Sequence, residues 1–179
     1  MSYNHIDAPI IVNVYEGKWH QLLPGIRARA GIKGLPPGMY VDDYMGADLI
    51  DMEPGTQFPL HTHKGGHILF ILKGEGTVTV GEQVYKTHPG DCYFIAGDLP
   101  HGVGAIKHHQ VLAIGFPHTA VDNPSRMEIM DAEYINNYPQ IAQIYSGNDH
   151  EERRRRLASY QADNSAAEMV PAEDEIIHD

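Results

Sequence analysis

The chain has 179 residues, 42% of them hydrophobic, with a formal net charge of −11 and a single cysteine, Cys92. That length and apolar content suit one compact domain, and the acidic balance disfavours nucleic acid, whose recognition needs a basic face. No apolar run reaches the length of a membrane span, the first residues lack the charged and apolar regions of a signal peptide, and a lone cysteine forms no internal disulfide. The expectation is a soluble, cytoplasmic protein.

In chain order, residues 10–15 are rich in β-branched side chains and predict a strand, and Trp19 to Leu23 runs up to the turn at Pro24-Gly25. Residues 26–33 alternate apolar and basic, which buries one strand face and leaves Arg27, Arg29 and Lys33 on the other. Such a row can hold an anionic substrate, although a solvated sheet face is the commoner use. After the break at Leu35 to Gly38, strands are predicted near 39–44 and 47–53. His67, Leu69 and Ile71 share one strand face and Ile68, Phe70 and Leu72 the other. Both faces are apolar, so the outer one should be covered by another sheet, a terminal segment or a second subunit. Strands at 77–80 and 84–87 flank Gly81-Glu82, a two-residue hairpin turn, and a further apolar strand runs from Val111 to Phe116. Cys92, within an apolar strand, reads as a small buried hydrophobe.

Beyond residue 120 the pattern becomes helical. Asn123-Pro124 reads as an N-cap and first turn, with Met127, Met130, Tyr134 and Tyr138 following at helical spacing as a docking stripe. Asp149 is placed to cap a last helix, with Glu151 and Glu152 near its start and Arg153 to Arg156 further on, complementing the helix dipole. The expected organisation is a β-rich domain with N-terminal strands over 1–120, helices over 121–161 packed on that domain or on a partner, and an acidic flexible tail over 162–179.

Chemistry concentrates in four histidines. His61 and His63 stand two apart, so in a strand they share a face; His67 follows four on, and His101 arrives after a turn-rich stretch. Neutral imidazoles at this spacing suit Zn, Fe, Ni, Cu or Mn rather than Ca or Mg. His88, His108, His109 and His118 fit no ligand spacing and are expected on the surface or in turns.

Around these residues, Gly55, His61-Thr62-His63, His67 and Gly74, followed by Gly90 and His101, resemble the two signature motifs of the cupin superfamily. His67 stands where that family usually has glutamate, and Ala96, Asp98 and Ala105 replace the second motif's proline, glycine and asparagine. The resemblance spans roughly residues 38–118. It implies an all-β fold, a double-stranded β-helix or jelly-roll barrel, here with a C-terminal helical extension. It also implies one divalent transition-metal ion per chain held by His61, His63, His67 and His101, as in a four-histidine subgroup, with Fe or Mn favoured and Zn, Ni or Cu as other candidates. Family members often pair through sheet contacts, so a homodimer is expected.

Four neutral imidazoles around a divalent ion leave about +2 on the site, against about +1 with a carboxylate, which strengthens its Lewis acidity and its hold on anions. Two open coordination positions would accept a bidentate substrate, or a substrate and dioxygen. The leading expectation is a dioxygenase-type oxidoreductase acting on a small chelating enol or catechol, with Leu69 and Ile71 lining a dry cavity. Two others stand beside it: a non-oxidative isomerase, decarboxylase or lyase using the metal as Lewis acid, and a metal-dependent ligand-binding or sensing module. No catalytic acid or base is assigned; Glu53, Gln57, Tyr85 and Tyr93 are candidates by proximity to the motifs.

Overall fold

The computed structural model describes residues 13–32, 45–96, 99–119, 121, 123, 126–145, 155, 158, 159 and 162. Eleven strands and two short helices follow in chain order: β1 His20–Leu23, β2 Ile26–Ile32, β3 Gly46–Met52, β4 Gln57–Thr62, β5 Gly66–Lys73, β6 Gly76–Val80, β7 Gln83–Thr87, β8 Cys92–Ile95, β9 His101–Ala105, β10 His109–Phe116, β11 Glu128–Ile129, α1 Ala132–Asn137 and α2 Pro139–Tyr145. They build two antiparallel sheets, one ordered β1-β2-β3-β10-β5-β8 and the other β11-β4-β9-β6-β7. This is the expected all-β jelly-roll arrangement, with neighbours drawn from distant parts of the chain.

Side-chain alternation explains which residues enter the core. In β5, Leu69 and Ile71 are buried, and in β10, Val111 and Ala113 are buried while Leu112 and Ile114 are half-buried. Phe58, Val78 and Val103 meet them from the second sheet. Burial of each such side chain contributes about 1.5–3 kcal/mol, so this shared cluster holds the sheets together. β6 and β7 turn at Gly81-Glu82, as expected. Gly74 must be glycine: its φ is +83°, and a Cβ there would fall 1.8 Å from the carbonyl oxygen of His108.

The outward face of β5 carries Ile68 and Phe70, each 38% exposed, and the neighbouring β8 adds Phe94 at 75%. The same alternation turns Cys92 outward, so the cysteine is exposed rather than buried. Arg27 and Arg29 stack over the Trp19 ring, at 4.5 and 3.9 Å from its centroid, while Ile26 and Ala28 are buried beneath. Lys33, which completed the expected basic row, lies outside the described residues, as does the segment 39–44.

Two further expectations need correction. Residues 13–15 form a turn in which Asn13 Oδ1 accepts from the Tyr15 amide at 2.9 Å; only 10–12 of the expected strand lie outside the described residues. The helix expected from Asn123-Pro124 does not begin there. Glu128 and Ile129 instead pair with Thr62 and His61 as β11, and the Met130 amide donates to Leu60 O at 2.8 Å. An unpaired edge of β4 captures the backbone, so Met127 and Ile129 are buried by strand pairing and the helical spacing is overridden. Helix α1 starts only after Asp131, whose Oδ1 accepts from the Tyr134 amide at 2.9 Å. Helix α2 buries Ile141, Ile144 and Tyr145, and the Tyr145 hydroxyl donates to Leu22 O. Of the last expected helix, Arg155, Ala158 and Ser159 are helical and exposed, and Ala162, expected as the start of the tail, is helical as well; Asp149, the other arginines of the run and the tail from 163 lie outside the described residues.

Candidate metal centre

His61 closes on His101 because β4 and β9 pair antiparallel with those two residues in register. His63 follows just past the end of β4, and β5 carries His67. The ligand atoms of His61, His63 and His101 all lie within 4.8 Å of one another. Metal–nitrogen bonds of about 2.0–2.1 Å put ligand nitrogens at most about 4.2 Å apart, so small ring rotations close this triad on an ion. His67 joins the cluster of rings, its centroid 4.8 Å from that of His63 and 4.5 Å from that of His101.

Ring orientation supports metal binding. Nδ1 of His61 lies 2.8 Å from Pro59 O and Nδ1 of His101 lies 2.7 Å from Leu99 O. Each Nδ1–H therefore donates to a carbonyl, which leaves the Nε2 lone pair for an ion. Nε2 of His101 and of His67 are buried with no hydrogen-bond partner among the described residues, as expected of atoms awaiting a ligand. Burial, reinforced by the neighbouring imidazoles, lowers the pKa of His61 far below its ordinary value. The same desolvation, with His101 and His63 adding to it, takes His67 to about 2. Burial takes His101 to about 4 despite its bond to Leu99. The rings are thus neutral, the form that binds metal.

The cluster opens on a cavity of about 60 Å³. A water needs about 10–15 Å³ by this measure, so the space accepts several waters or a small chelating molecule beside an ion. Ile50, Phe58, Leu69, Val103, Ala113 and Met127 supply its apolar wall; Ile71 is buried but does not line it.

Three polar residues that the spacing of motifs did not single out share this wall: Asp48, His118 and Arg126. Asp48 Oδ2 accepts from Arg126 Nη1 at 2.8 Å and lies 3.2 Å from His118 Nε2. Burial pushes the Asp48 carboxyl up, but the His118 hydrogen bond and the Arg126 guanidinium outweigh it and leave the pKa below the ordinary value. His118 is not a surface residue, since its side chain is 6% exposed. The chain doubles back after Pro117 and lays the ring against Gly115, where a Cβ would meet it at 3.2 Å. His109 is likewise wholly buried, because β10 alternates His109, Val111 and Ala113 inward. His88 is exposed, as expected, and His108 is partly exposed with Nε2 2.9 Å from Asp51.

None of the acid–base candidates chosen by proximity lines the cavity. Glu53 and Tyr85 are exposed, Gln57 donates to Phe58 O, and the Tyr93 hydroxyl donates to Lys86 O. Strand facing and bulges, invisible in linear spacing, turn them elsewhere.

Residues 48–114 match the Cupin domain family. No curated protein sequence matches the chain. Among solved structures, KdgF from Halomonas sp. is similar at 18% identity and TM-score 0.54, over 63% of this chain and 96% of that one. An RmlC-like cupin from Shewanella frigidimarina aligns at 16% identity and TM-score 0.49, over 57% of this chain and 86% of that one. Salicylate 1,2-dioxygenase from Pseudoaminobacter salicylatoxidans aligns at 15% identity and TM-score 0.45, over 54% of this chain and 26% of the dioxygenase. At these identities the likeness is one of fold. No described helix is long and apolar enough to cross a membrane. Residues 48–114 thus resemble the Cupin domain family in sequence, the two antiparallel sheets have the cupin fold, and a histidine triad within that stretch could hold a metal ion.

Proposed function

We propose that the protein is a metal-dependent enzyme of the dioxygenase type, acting on a small substrate that chelates the ion as an enolate or catecholate. His61, His63 and His101 hold one divalent transition metal, Fe or Mn by preference, and His67 completes the set. The observation that carries this reading is the convergence of three imidazoles, those of His61 and His101 with tethered Nδ1 atoms, on a largely apolar cavity. When bound, the ion supplies Lewis acidity toward a chelating oxygen pair and, if redox-active, access to dioxygen chemistry. The chain's own contribution is to hold the ligand rings neutral, to exclude water with Phe58, Leu69, Val103 and Met127, and to limit the substrate to a small molecule.

A second reading is favoured by the Asp48–His118 contact in the same cavity. A carboxylate that orients an imidazole equips a site to move a proton, which non-oxidative isomerisation or lyase chemistry needs. Oxygen uptake by Fe- or Mn-loaded protein with a panel of small enols, diketones and catechols separates the two. Consumption of oxygen with loss of one enol supports the first reading. Turnover that persists without oxygen and with Zn replaces it with the second. Tight ligand binding with no chemical change to any compound overturns both in favour of a binding module.

A further inference from the structure

Asp48 and Arg126 are 78 positions apart in the chain, yet they form one of the least exposed ion pairs among the described residues, with side chains 1% and 13% exposed. A buried ion pair is an expensive way to pin a connection, because apolar side chains of the same size do it as well or better. Three features of this pair go beyond pinning. It lies on the wall of the cavity that the histidine rings share. Among the described residues its guanidinium bonds only through Nη1, to Asp48 and, at 3.4 Å, to Thr119 O, so Nη2 and Nε remain for a ligand. His118, which shares Asp48 Oδ2, leaves Nδ1 buried and unpartnered, and Asp48 leaves Oδ1 in the same condition. Buried polar atoms without partners mark a place where another molecule supplies them.

The placement relative to the metal centre is set by the sheet. Gly115, against which His118 packs, is the register partner of His67 across β10 and β5. The polar cluster therefore borders the histidine cluster on its His67 side. Lys64, beside His63, adds a second cation to the cavity lining. One carboxylate thus faces two cations around neutral imidazoles, and an ion in the triad raises the positive charge further.

Resting on the metal-dependent reading above, we propose that Arg126 is a specificity-determining residue that takes the carboxylate of a small chelating acid, Asp48 holding the guanidinium in place and His118 Nδ1 receiving a hydrogen bond from the same ligand. The substrate class is then a small organic acid with two functional parts: an oxygen pair that chelates the ion, and a separate carboxylate for the guanidinium fork. A neutral enol or simple catechol lacks the second part.

The test uses full-length protein loaded with Co2+, whose visible spectrum reports on the site, and calorimetric titration with two probes. Acetohydroxamate carries the chelating head alone; the monohydroxamate of malonic acid carries the same head with a free carboxylate. Wild-type protein is expected to bind the acid more tightly, and Arg126→Ala to lose about tenfold or more of that preference, the worth of a charge-assisted pair, while acetohydroxamate affinity stays unchanged. Arg126→Lys, which keeps the charge and loses the fork, retains part of the preference and decides the matter if the alanine variant does not fold. Equal affinities for the two probes in wild type, or an Arg126 variant that weakens both alike, overturn the anion role and leave Arg126 a structural tether. Wild-type protein that takes up no Co2+ overturns the metal reading itself, which the unchanged-spectrum control identifies before any probe is added.

Discussion

His61 and His101 face each other as register partners across β4 and β9, with ring centroids 4.4 Å apart and each Nδ1 tied to the carbonyl two residues before it. This pair is oriented by backbone alone, so the site is preorganised before any ion arrives, and little rotamer freedom is lost on binding.

Elemental analysis of purified protein is expected to give one divalent transition-metal ion per chain, and His101→Ala to reduce occupancy to a trace. His67→Ala tests the fourth position separately. With His67 as a ligand, affinity falls at least about tenfold and His67→Glu retains the metal; an unchanged affinity in the alanine variant assigns His67 to the cavity wall instead.

Acid should weaken the metal-free protein. The ordinary imidazole value is 6.5, whereas His101 is held at about 4 and His67 at about 2 in the fold. The unfolded chain therefore takes up these protons first. The stability contributed by the neutral rings is complete above pH 6.5 and declines as pH falls through the window down to about 4 for His101, and further for His67. At pH 5.0 the loss from His101 alone is about 2 kcal/mol. Denaturant midpoints of chelator-treated protein at pH 7.5 and 5.0 measure it; equal midpoints refute it.

Asp48→Ala is expected to cost about 3 kcal/mol or more, because it leaves the Arg126 guanidinium without its buried carboxylate. Asp48→Leu combined with Arg126→Met should cost less than the sum of Asp48→Leu and Arg126→Met made singly, the signature of a coupled pair in a double-mutant cycle. Strict additivity of the single effects argues against coupling.

Gly74→Ala is expected to lower stability by more than about 2 kcal/mol, from both the positive φ and the clash with His108 O. Gly81→Ala, also at positive φ but with nothing within 4 Å of the added Cβ, should cost less. A thermal melt of each variant separates steric crowding from backbone strain.

Much of the fold was legible locally. The alternation in β5 and β10, the Gly81-Glu82 turn and the shared face of His61 and His63 depend on residues close in sequence, whose relative facing follows from the two-residue strand period. The helix expected from Asn123 failed because its local spacing competed with a free strand edge on β4, a partner that no window around residue 128 contains.

By itself, then, the sequence determined a β-rich chain with His61 and His63 on one strand face, since both rest on short-range period, and its likeness to the cupin motifs implied the barrel and the joining of His67 and His101 to them in one cluster. Only the tertiary structure decided what surrounds that cluster. It brought Asp48 to Arg126 across 78 residues, folded His118 back over Gly115 and turned Glu53, Gln57, Tyr85 and Tyr93 away. The reason is that strand pairing between distant segments, unlike facing within a strand, is selected by burial of the whole core.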